Sequence, residues 1–543
     1  MRLRMRAAVA IVAVTMLAVA CSSGGGSKSA GGTSTTGGSA GTPVSGGNLV
    51  MGTEAEDNGF LPTTATWDTS GYMYAFSVYD PLAYFGSDEK VHPFLAQSIT
   101  ASPDYKTWTI VLRPNISFSN GDPLTGQDVA EDLTAVKDAP LTGHVFDPVN
   151  TFTATGPLTV TVACKIPWIA FPSYLTAQAG VVFDPSMLKD PNTSSQHPIG
   201  TGPFILKTWI PGNYALFVKN PNYWRKGLPY LNSVEFRPIV DEQSRESSLQ
   251  TNTIQVMHSS DPQATYDLKG KSGITLINDS SEPGQHSQDF YMINTAKPPL
   301  NNLTLREALA YATNVKQVIN VIDYGLLKPS DGPFSSPGSQ YYAPTGYPSY
   351  NLAKAKQLVQ QYEQQAGVSS VSFQLGTVNS GRDLQEAELL QADWKAAGIT
   401  TTITQVQQAD YIDQALIGNY QVYAWRQFGD ADPDADYIWW SSTTAAPIGS
   451  FALNFARLKD PQIQSDLDKA RSDPNQADRI ADYKDIASQF AQQIPYLWIA
   501  QTVWQVAYNN NVHGINSGTL PDGTPIVGHT EGGVFMMANV WMS

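Results

Sequence analysis

Acidic residues at alternating positions form the most chemically suggestive stretch of the sequence. Three aspartates alternate in GDADPDAD (429–436): Asp430, Asp432 and Asp434. A calcium loop has this spacing, but it also needs a glycine at its sharp turn and a bidentate glutamate at its end. Ala435 and Ser441 stand at those two positions. Three interpretations stay open: a calcium loop, a turn whose acids cap the next helix, and a carboxylate that faces a ligand.

The surrounding sequence excludes the other motifs that resemble catalytic or cofactor-binding sites. Gly-x-Ser-x-Gly occurs at 37–41 in a Gly/Ser-rich run, with no strand before it and no helix after it, unlike the nucleophile turn of a hydrolase. GTGPFI (200–205) lacks the third glycine of a dinucleotide-binding loop, and Pro203 removes a backbone N–H that would face a phosphate. The seven histidines show no i, i+4 spacing of the kind that binds zinc. Outside the acidic stretch at 429–436, the sequence therefore predicts no catalytic residue, no metal site and no cofactor.

The charge balance excludes one large class of partner. The chain of 543 residues has 48 acidic and 33 basic residues, a formal net charge of −15. Proteins that bind nucleic acid need clustered Lys and Arg, so no nucleic-acid partner is expected. At about 150 residues per domain, the length favours two to four domains.

The N-terminus has the pattern of an export signal. Three arginines within the first six residues precede an apolar run from Ala7 to Ala20, which is too short to span a bilayer comfortably. Cys21 follows in the order LAVAC, which resembles a bacterial lipoprotein signal; an ordinary secretory signal is the alternative. We expect a signal peptide over 1–20, lipidation of Cys21 and a Gly/Ser/Thr-rich tether over 21–47. The protein would then be an extracytoplasmic lipoprotein of the cell membrane, at the cell surface or in a periplasm. Cys164 is left alone in the body and is predicted to be a buried free thiol.

Periodicity predicts the elements that must position any site. Trp108, Ile110 and Leu112 alternate, which indicates a strand. Apolar residues recur at helical spacing over 305–322, and Thr304 with Glu307 has the pattern of a capping box. These signals predict one continuous helix over 305–322.

A second group of signals predicts a β-α-β unit. Asn351 begins a helix that Gly367 ends, and a strand with alternating apolar residues follows at 371–375. A helix at about 383–397 and a strand that begins at Ile399 come next, so these two strands should be parallel. A further strand is predicted at 420–428. The fold class is therefore α/β with more than one sheet.

The segment from Pro198 to Asp241 carries a family resemblance. It resembles the signature of the extracytoplasmic solute-binding proteins of ABC importers, family 5, the oligopeptide, dipeptide and nickel type. The recurring pattern G-T-G-P-F, N-x-x-Y-W, G-x-P and L is filled by Gly200 to Phe204, Asn220, Tyr223, Trp224, Gly227, Pro229 and Leu231. Further blocks are similar to the family in the same order: 78–82, 92–129, 291–314, 347–359, 391–399 and 432–434. The resemblance covers about 48–543.

The signature stretch has a physical interpretation of its own. Gly200 and Gly202 would let the chain cross tightly between two lobes, where a side chain would collide. Trp209, Tyr214 and Trp224 are large, mostly apolar side chains, each with one N–H or O–H group that can form a hydrogen bond. Asn220 and Asn222 suit a turn because their side chains bond their own backbone. The stretch is therefore predicted to be scaffold near a hinge rather than a ligand contact.

The resemblance implies a two-lobed clam-shell of the type II periplasmic-binding-protein class with an additional inserted domain. The implied divisions are a discontinuous lobe I (48–72, 196–293 and 507–543), an inserted domain (73–195) and lobe II (294–506). Ligand would be enclosed between the lobes as the hinge closes.

The resemblance also suggests which residues hold the ligand. Asp430, just before the Asp-Pro block, would take the ammonium of a peptide. Arg382 and Arg426 are the candidates for its carboxylate, and Trp425 would provide a stacking wall. Two tyrosines complete the predicted lining of the cleft: Tyr74 and Tyr423.

The implied function is a non-catalytic, lipid-anchored and monomeric receptor that captures an oligopeptide. It would deliver the peptide to an ABC permease and its ATPase subunits. Alternatives within the family are an oligosaccharide and a nickel or other metal chelate. Alternatives of another class are an extracellular hydrolase and a signalling receptor or surface chaperone.

Overall fold

The computed structural model describes residues 41–140, 142–278, 287–334, 339–428, 431–515, 517–526 and 531–543. The predicted signal peptide, Cys21 and most of the predicted tether lie outside the described residues, and so does Asp430. Among the described residues, no helix is both long and apolar enough to span a membrane.

The strands are numbered in chain order. They are β1 (Asn48–Thr53), β2 (Ala83–Phe85), β3 (Val91–Pro93), β4 (Ala96–Ala101), β5 (Thr107–Leu112), β6 (Val149–Gly156), β7 (Thr159–Cys164), β8 (Phe204–Ile210), β9 (Tyr214–Lys219), β10 (Ser233–Pro238), β11 (Val256–Ser259), β12 (Ile274–Asn278), β13 (Gln288–Ile293), β14 (Lys328–Pro329), β15 (Val371–Val378), β16 (Ile399–Val406), β17 (Val422–Gln427), β18 (Tyr496–Gln501), β19 (Gln505–Asn509), β20 (Val512–His513) and β21 (Trp541–Met542).

The α-helices are numbered in the same way. They are α1 (Thr69–Val78), α2 (Gly126–Asp138), α3 (Phe171–Tyr174), α4 (Pro191–Ser194), α5 (Glu242–Gln250), α6 (Pro262–Leu268), α7 (Leu303–Ala312), α8 (Val315–Val321), α9 (Leu352–Ala366), α10 (Gly381–Ala396), α11 (Gln408–Ile417), α12 (Tyr437–Trp440), α13 (Pro461–Ser472) and α14 (Gln476–Gln493).

A seven-stranded sheet forms the first half of the body, in the order β12-β19-β11-β1-β10-β9-β8. β1 pairs in parallel with both β10 and β11, so the carboxyl ends of these three strands lie at one edge. Buried residues of this sheet, such as Met51 and Phe236, belong to one hydrophobic core with Trp108, Ile110 and Val160. The last three lie in a separate four-stranded antiparallel sheet, β4-β5-β7-β6, which confirms the predicted strand through Trp108.

A six-stranded sheet forms the second half, in the order β14-β18-β13-β17-β15-β16. β15 pairs in parallel with β16 and with β17, which confirms the predicted β-α-β unit. Alternate residues of β13 enter the cores on its two faces, Tyr291 on one and Phe290 on the other, as the period of a strand requires. β13 itself lies in the range predicted for lobe I, but it pairs with β17 and β18. Along the described strands, the chain changes from one large sheet to the other between β12 and β13 and again between β18 and β19.

The helix predicted over 305–322 is wrong as one continuous element. The chain forms α7 and α8 instead, separated at Thr313 and Asn314. At the break, Thr313 adopts an extended backbone conformation and Asn314 caps α8 through the N–H of Gln317. Trp394 Nε1 also donates to Thr313 Oγ1 over 3.1 Å. The predicted capping box is also wrong, because the side chain of Asn302 caps α7. By contrast, α9 begins after Asn351 and ends at Gly367, which has φ +67°, as predicted.

The signature glycines pack against the end of α1 and do not cross between lobes. A Cβ on Gly200 or on Gly202 would lie 2.4 Å from backbone atoms of Val78, and the N–H of Gly202 donates to the Val78 carbonyl. This close approach corrects the predicted crossing, although the need for glycine stands. Trp224 in turn donates to the buried carboxylate of Asp80 over 2.7 Å. The segment 200–224 therefore packs the start of β8 and the turn after β9 against the end of α1.

Candidate ligand-binding site

The carboxyl edges of the two large sheets face each other. Glu54 follows β1 and Ser260 follows β11 at one edge, while Arg426 lies at the end of β17 and Arg382 follows β15 at the other. Arg426 Nη1 donates to Ser260 Oγ, and Arg382 Nε lies 4.0 Å from the carboxylate of Asp261. In open α/β sheets, ligands bind outside the carboxyl ends of the parallel strands. The region where these two edges meet is therefore the candidate site.

Arg426 is held in place from three sides. Its Nε donates to Asp289 Oδ1 over 2.9 Å, and Thr502 Oγ1 donates to the same oxygen over 3.0 Å. The guanidinium lies over the ring of Trp504, 5.4 Å from its centroid. Its side chain is still 31% exposed. A rigid, partly exposed guanidinium is suited to a planar anion such as a carboxylate.

The charge of Arg426 is secured by its neighbours. Burial lowers its pKa, but the carboxylates of Asp289 and Glu54 raise it, and the net result is a pKa above the usual arginine value. The ring of Trp504 also stacks on that of His258, 5.8 Å away with 11° between the planes. Burial lowers the pKa of His258 to about 4, so the imidazole beneath Trp504 is neutral near pH 7. Among the three stacked groups Arg426, Trp504 and His258, Arg426 therefore carries the positive charge near pH 7.

Trp425 is the outermost ring of a parallel ladder. Tyr420 stacks on Tyr423 at 4.7 Å, Tyr423 on Tyr411 at 3.9 Å, and Tyr411 on Trp425 at 5.7 Å. The three tyrosines are buried, whereas Trp425 is only half-buried. The ladder thus fixes the plane of an indole that a ligand can stack on.

The two predicted tyrosines lie deeper than the arginines and Trp425. Tyr423 is 3% exposed and donates to Gln414 Oε1 over 2.7 Å, within the ladder. Tyr74 is 1% exposed, stacks on Phe236 at 4.5 Å and shares a hydrogen bond with Thr53 Oγ1. Tyr74 thus supports the last residue of β1 from inside the core. A direct ligand contact by either tyrosine stays a prediction.

Arg382 is surrounded by carboxylates. It donates to Asp323 over 2.6 Å and lies 3.4 Å from Asp383 and 3.5 Å from Glu386. Burial raises the pKa of Asp323 to about 6 and that of Glu386 to about 8, with Arg382 opposing both shifts. For Arg382, burial lowers the pKa, but the carboxylates outweigh it and raise it well above the usual value. Its side chain is 16% exposed, so it is less accessible than Arg426.

The two described aspartates of the acidic stretch bind arginines of the protein. Asp432 caps the turn at 433–436, as the helix-cap interpretation predicts, and accepts from Arg479 over 2.7 Å. Asp434 is fully buried and pairs with Arg471 over 2.8 Å. Among the described residues, no group of three or more His, Cys, Asp or Glu is arranged to hold a metal ion. Asp430 lies outside the described residues.

Asp434 also joins two distant parts of the chain. Trp168 Nε1 donates to Asp434 Oδ2 over 2.7 Å, and Tyr174 Oη donates to the same oxygen over 3.0 Å. Arg471 Nη2 completes the network by donating to Tyr174 Oη over 3.1 Å. The segment 73–195, which holds Trp168 and Tyr174, is thereby tied to the half of the body that contains the six-stranded sheet.

Three residues at the site carry no motif: Glu54, Asp289 and Trp504. Each becomes visible only when strands that are far apart in sequence are paired. Asp289 and Arg426 face each other because β13 and β17 are neighbours in register. The one sequence signal available for Glu54 was its place directly after an apolar strand.

A family profile matches most of the chain. The matching profile is described as bacterial extracellular solute-binding proteins, family 5, middle, and it covers residues 90–448.

Curated relatives match over similar lengths. The nickel-binding periplasmic protein of Escherichia coli K12 is 28% identical over 470 residues, which cover 80% of this chain and 85% of the relative. The glutathione-binding protein GsiB of Pectobacterium atrosepticum is 26% identical over 450 residues, which cover 80% and 84%.

Solved structures share the fold. The oligopeptide-binding protein AppA of Bacillus subtilis, solved in complex with a nonapeptide, superimposes with a TM-score of 0.80 at 19% identity. The match covers 92% of this chain and all of AppA. The body therefore has the two-lobed α/β architecture of type II periplasmic binding proteins.

Proposed function

The chain belongs to family 5 of the bacterial extracellular solute-binding proteins, and we propose that it captures an oligopeptide between its two lobes. As a member of this family, it is an extracytoplasmic binding protein that serves an ABC permease and not an enzyme. The proposal concerns the identity of the solute, the residues that hold it and the lipid anchor.

One observation carries the proposal of a peptide ligand. Arg426, a rigid and partly exposed guanidinium near the end of β17, donates to Ser260 beyond β11 of the seven-stranded sheet. The half-buried indole of Trp425 precedes it and lies on the opposite face of the strand. Arg426 would hold the terminal carboxylate of the peptide, and Trp425 would pack against a side chain. Asp430, which the family resemblance suggests, is proposed as one candidate partner for the peptide ammonium. AppA, which shares this fold, is described as an oligopeptide-binding protein.

The two-lobed architecture supplies the proposed mechanism of capture. The predicted bounds of the lobes shift so that each strand stays with the sheet in which it pairs. Lobe I would comprise 48–72, 196–287 and 505–543, with an inserted domain over 73–195, and lobe II would comprise 288–504. The passage between β18 and β19, residues 502–504, would act as part of the hinge. A ligand that contacts both lobes only in the closed form shifts the population toward closure.

Calorimetry with a mixture of tripeptides to pentapeptides tests this function. The protein is purified with Cys21→Ser, which removes the predicted lipidation site. Arg426→Met should weaken binding by at least roughly 2 kcal/mol, or about 30-fold in Kd, the scale for removing one partner of a desolvated charge pair. Arg237→Met is the matched control, because Arg237 is 37% exposed and pairs with Glu235 in the same manner. No binding by the parent protein, or equal binding by both variants, would refute the proposal.

The lipid anchor is a separate part of the proposal. Cys21 would carry the lipid, and the Gly/Ser/Thr-rich segment 21–47 would act as the tether. Detergent phase partitioning of cell extracts tests it. The wild-type chain should enter the detergent phase, and Cys21→Ser should move to the aqueous phase. A wild-type chain in the aqueous phase would exclude the anchor.

A metal chelate is the second candidate solute. The curated relative with 28% identity is described as nickel-binding, and Arg426 would suit the carboxylates of a chelator as well as those of a peptide. Titration with Ni²⁺ in the presence of histidine distinguishes the two solutes. Saturable binding of the chelate, with none of the peptides, would favour this candidate.

A further inference from the structure

Glu54 follows β1 at its carboxyl edge and has no hydrogen-bond donor among the described residues. Gly52 pairs with Met257 of β11, so Glu54, two residues further on, is level with Ser259 at the end of β11. The side chain is half-buried, yet no hydrogen bond or ion pair joins it to any described residue. Its neighbour Glu56 differs, since it accepts from the Trp209 indole over 3.0 Å and from a backbone N–H. A half-buried carboxylate that lacks a donor is poised to accept one.

The charges around Glu54 do not balance. Arg426 lies close enough for Glu54 to raise its pKa, but this guanidinium already pairs with Asp289 at 2.9 Å. One cation therefore faces two carboxylates at this point. The second guanidinium, Arg382, does not correct the excess because it has acidic neighbours of its own: Asp261, Asp323, Asp383 and Glu386. A net negative field between the sheets favours a ligand with a positive group.

A second atom of the same region lacks a donor. Asp323 is fully buried, and its Oδ1 accepts from Arg382, but its Oδ2 has no hydrogen-bond partner among the described residues. Asp261 and Asp289 act on the pKa of Asp323, which places it in the same acidic group. Buried carboxylate oxygens are rarely left unpaired in folded proteins. Among the described residues, the carboxylates of this region thus lack hydrogen-bond donors as well as balancing positive charge.

We infer that Glu54 binds a cationic group of the solute, an alkylammonium, on the seven-stranded-sheet side of the cleft. Arg426, on the opposite side, would bind the anionic group. The solutes of this protein would then carry both charges, with the positive one placed by Glu54. The inference rests on the proposed function, because it assumes that the space between the two edges is the binding cleft. Enclosure would strengthen the contact, since a charge-assisted hydrogen bond gains when water is excluded.

Three sets of tripeptides test this inference on the purified Cys21→Ser protein by native mass spectrometry and calorimetry. The first set has free amino termini, the second is N-acetylated without lysine, and the third is N-acetylated with one lysine. The first and third sets should bind at least roughly 10-fold more tightly than the second. If only the first set is preferred, the ammonium is that of the peptide terminus; if only the third, it is that of a side chain.

Glu54→Gln should remove this preference, while Glu363→Gln on α9, another half-buried glutamate, should leave it intact. Equal binding of all three sets by the parent protein would overturn the inference and leave the peptide function standing. A preference that survives Glu54→Gln but is lost in Asp430→Asn would also overturn it, because the anchor would then be Asp430. No binding of any set would refute the proposed function itself.

Discussion

Replacing Asp434 by asparagine tests the buried contact between the segment 73–195 and the second half of the body. Asp434 and Arg471 have side chains that are 0% and 4% exposed and lie 2.8 Å apart. The guanidinium is also covered by the ring of Tyr437, with 3.4 Å from its carbon to the ring centroid. It cannot reach water without moving these neighbours. Asp434→Asn therefore leaves a buried cation without its counter-ion.

The magnitude follows from this burial. Asparagine keeps an oxygen that can accept from Trp168 or Tyr174, so the main loss is the negative charge. Removing one partner of a buried ion pair typically costs about 3–5 kcal/mol, and solvent screening is slight when both side chains are covered. Asp434→Asn should therefore lower the free energy of unfolding by about 3–5 kcal/mol. Adding Arg471→Gln should recover part of this loss, because the unpaired cation is then absent.

Urea unfolding of the Cys21→Ser protein, followed by tryptophan fluorescence, measures the effect. Asp138→Asn is the control, because Asp138 is 66% exposed in its pair with Lys137 and such pairs contribute little. A loss below about 1 kcal/mol for Asp434→Asn would refute the reasoning. The same conclusion would follow if the double variant were as unstable as the sum of the two single variants.

Three further predictions concern the body. Gly202→Ala should lower the free energy of unfolding by about 1–3 kcal/mol, because its Cβ would lie 2.4 Å from Val78 C; Gly381→Ala, with open space at the Cβ, should not. Burial raises the pKa of Asp80 to about 7, so its contribution to stability is full below 3.8 and is lost as the pH rises through 7. Asp80→Asn should therefore gain stability relative to the parent protein between pH 5 and pH 8 in urea titrations; a constant difference would contradict this. Burial raises the pKa of the Cys164 thiol to about 11, so a thiol reagent should label it at pH 8 only after unfolding, and fast labelling of the folded protein would contradict its burial.

Local patterns were sufficient where an element depends on its own residues. Asn351 and Gly367 bound α9 as predicted, because a cap and a left-handed glycine act within one turn. The break between α7 and α8 has a local signal too, because Asn314 caps α8 within one turn, but the apolar periodicity over 305–322 runs through it. Trp394, about eighty residues away, also donates to Thr313. A periodic pattern within 305–322 cannot reveal that contact.

The same difference between local sequence signals and long-range contacts applies to the candidate site. Family resemblance suggested Arg426 and Trp425, which both lie on β17, and Arg426 donates to Ser260 beyond β11 of the other sheet. Their contact with a ligand stays a prediction. The depth of Tyr74 could not be predicted, since it depends on how α1 packs on Phe236. Glu54 and Asp289 were missed because their significance depends on strand pairing and on the charges that face them. Residue type alone distinguishes neither from a surface acid.

We propose that the cleft takes up a peptide and holds it unaltered. Native mass spectrometry of the purified Cys21→Ser protein, after incubation with a peptide mixture, tests this function. We expect a series of bound masses that match intact added peptides and that disappear in Arg426→Met. Bound masses of a single sugar or metal chelate, or peptides returned as fragments, would contradict it.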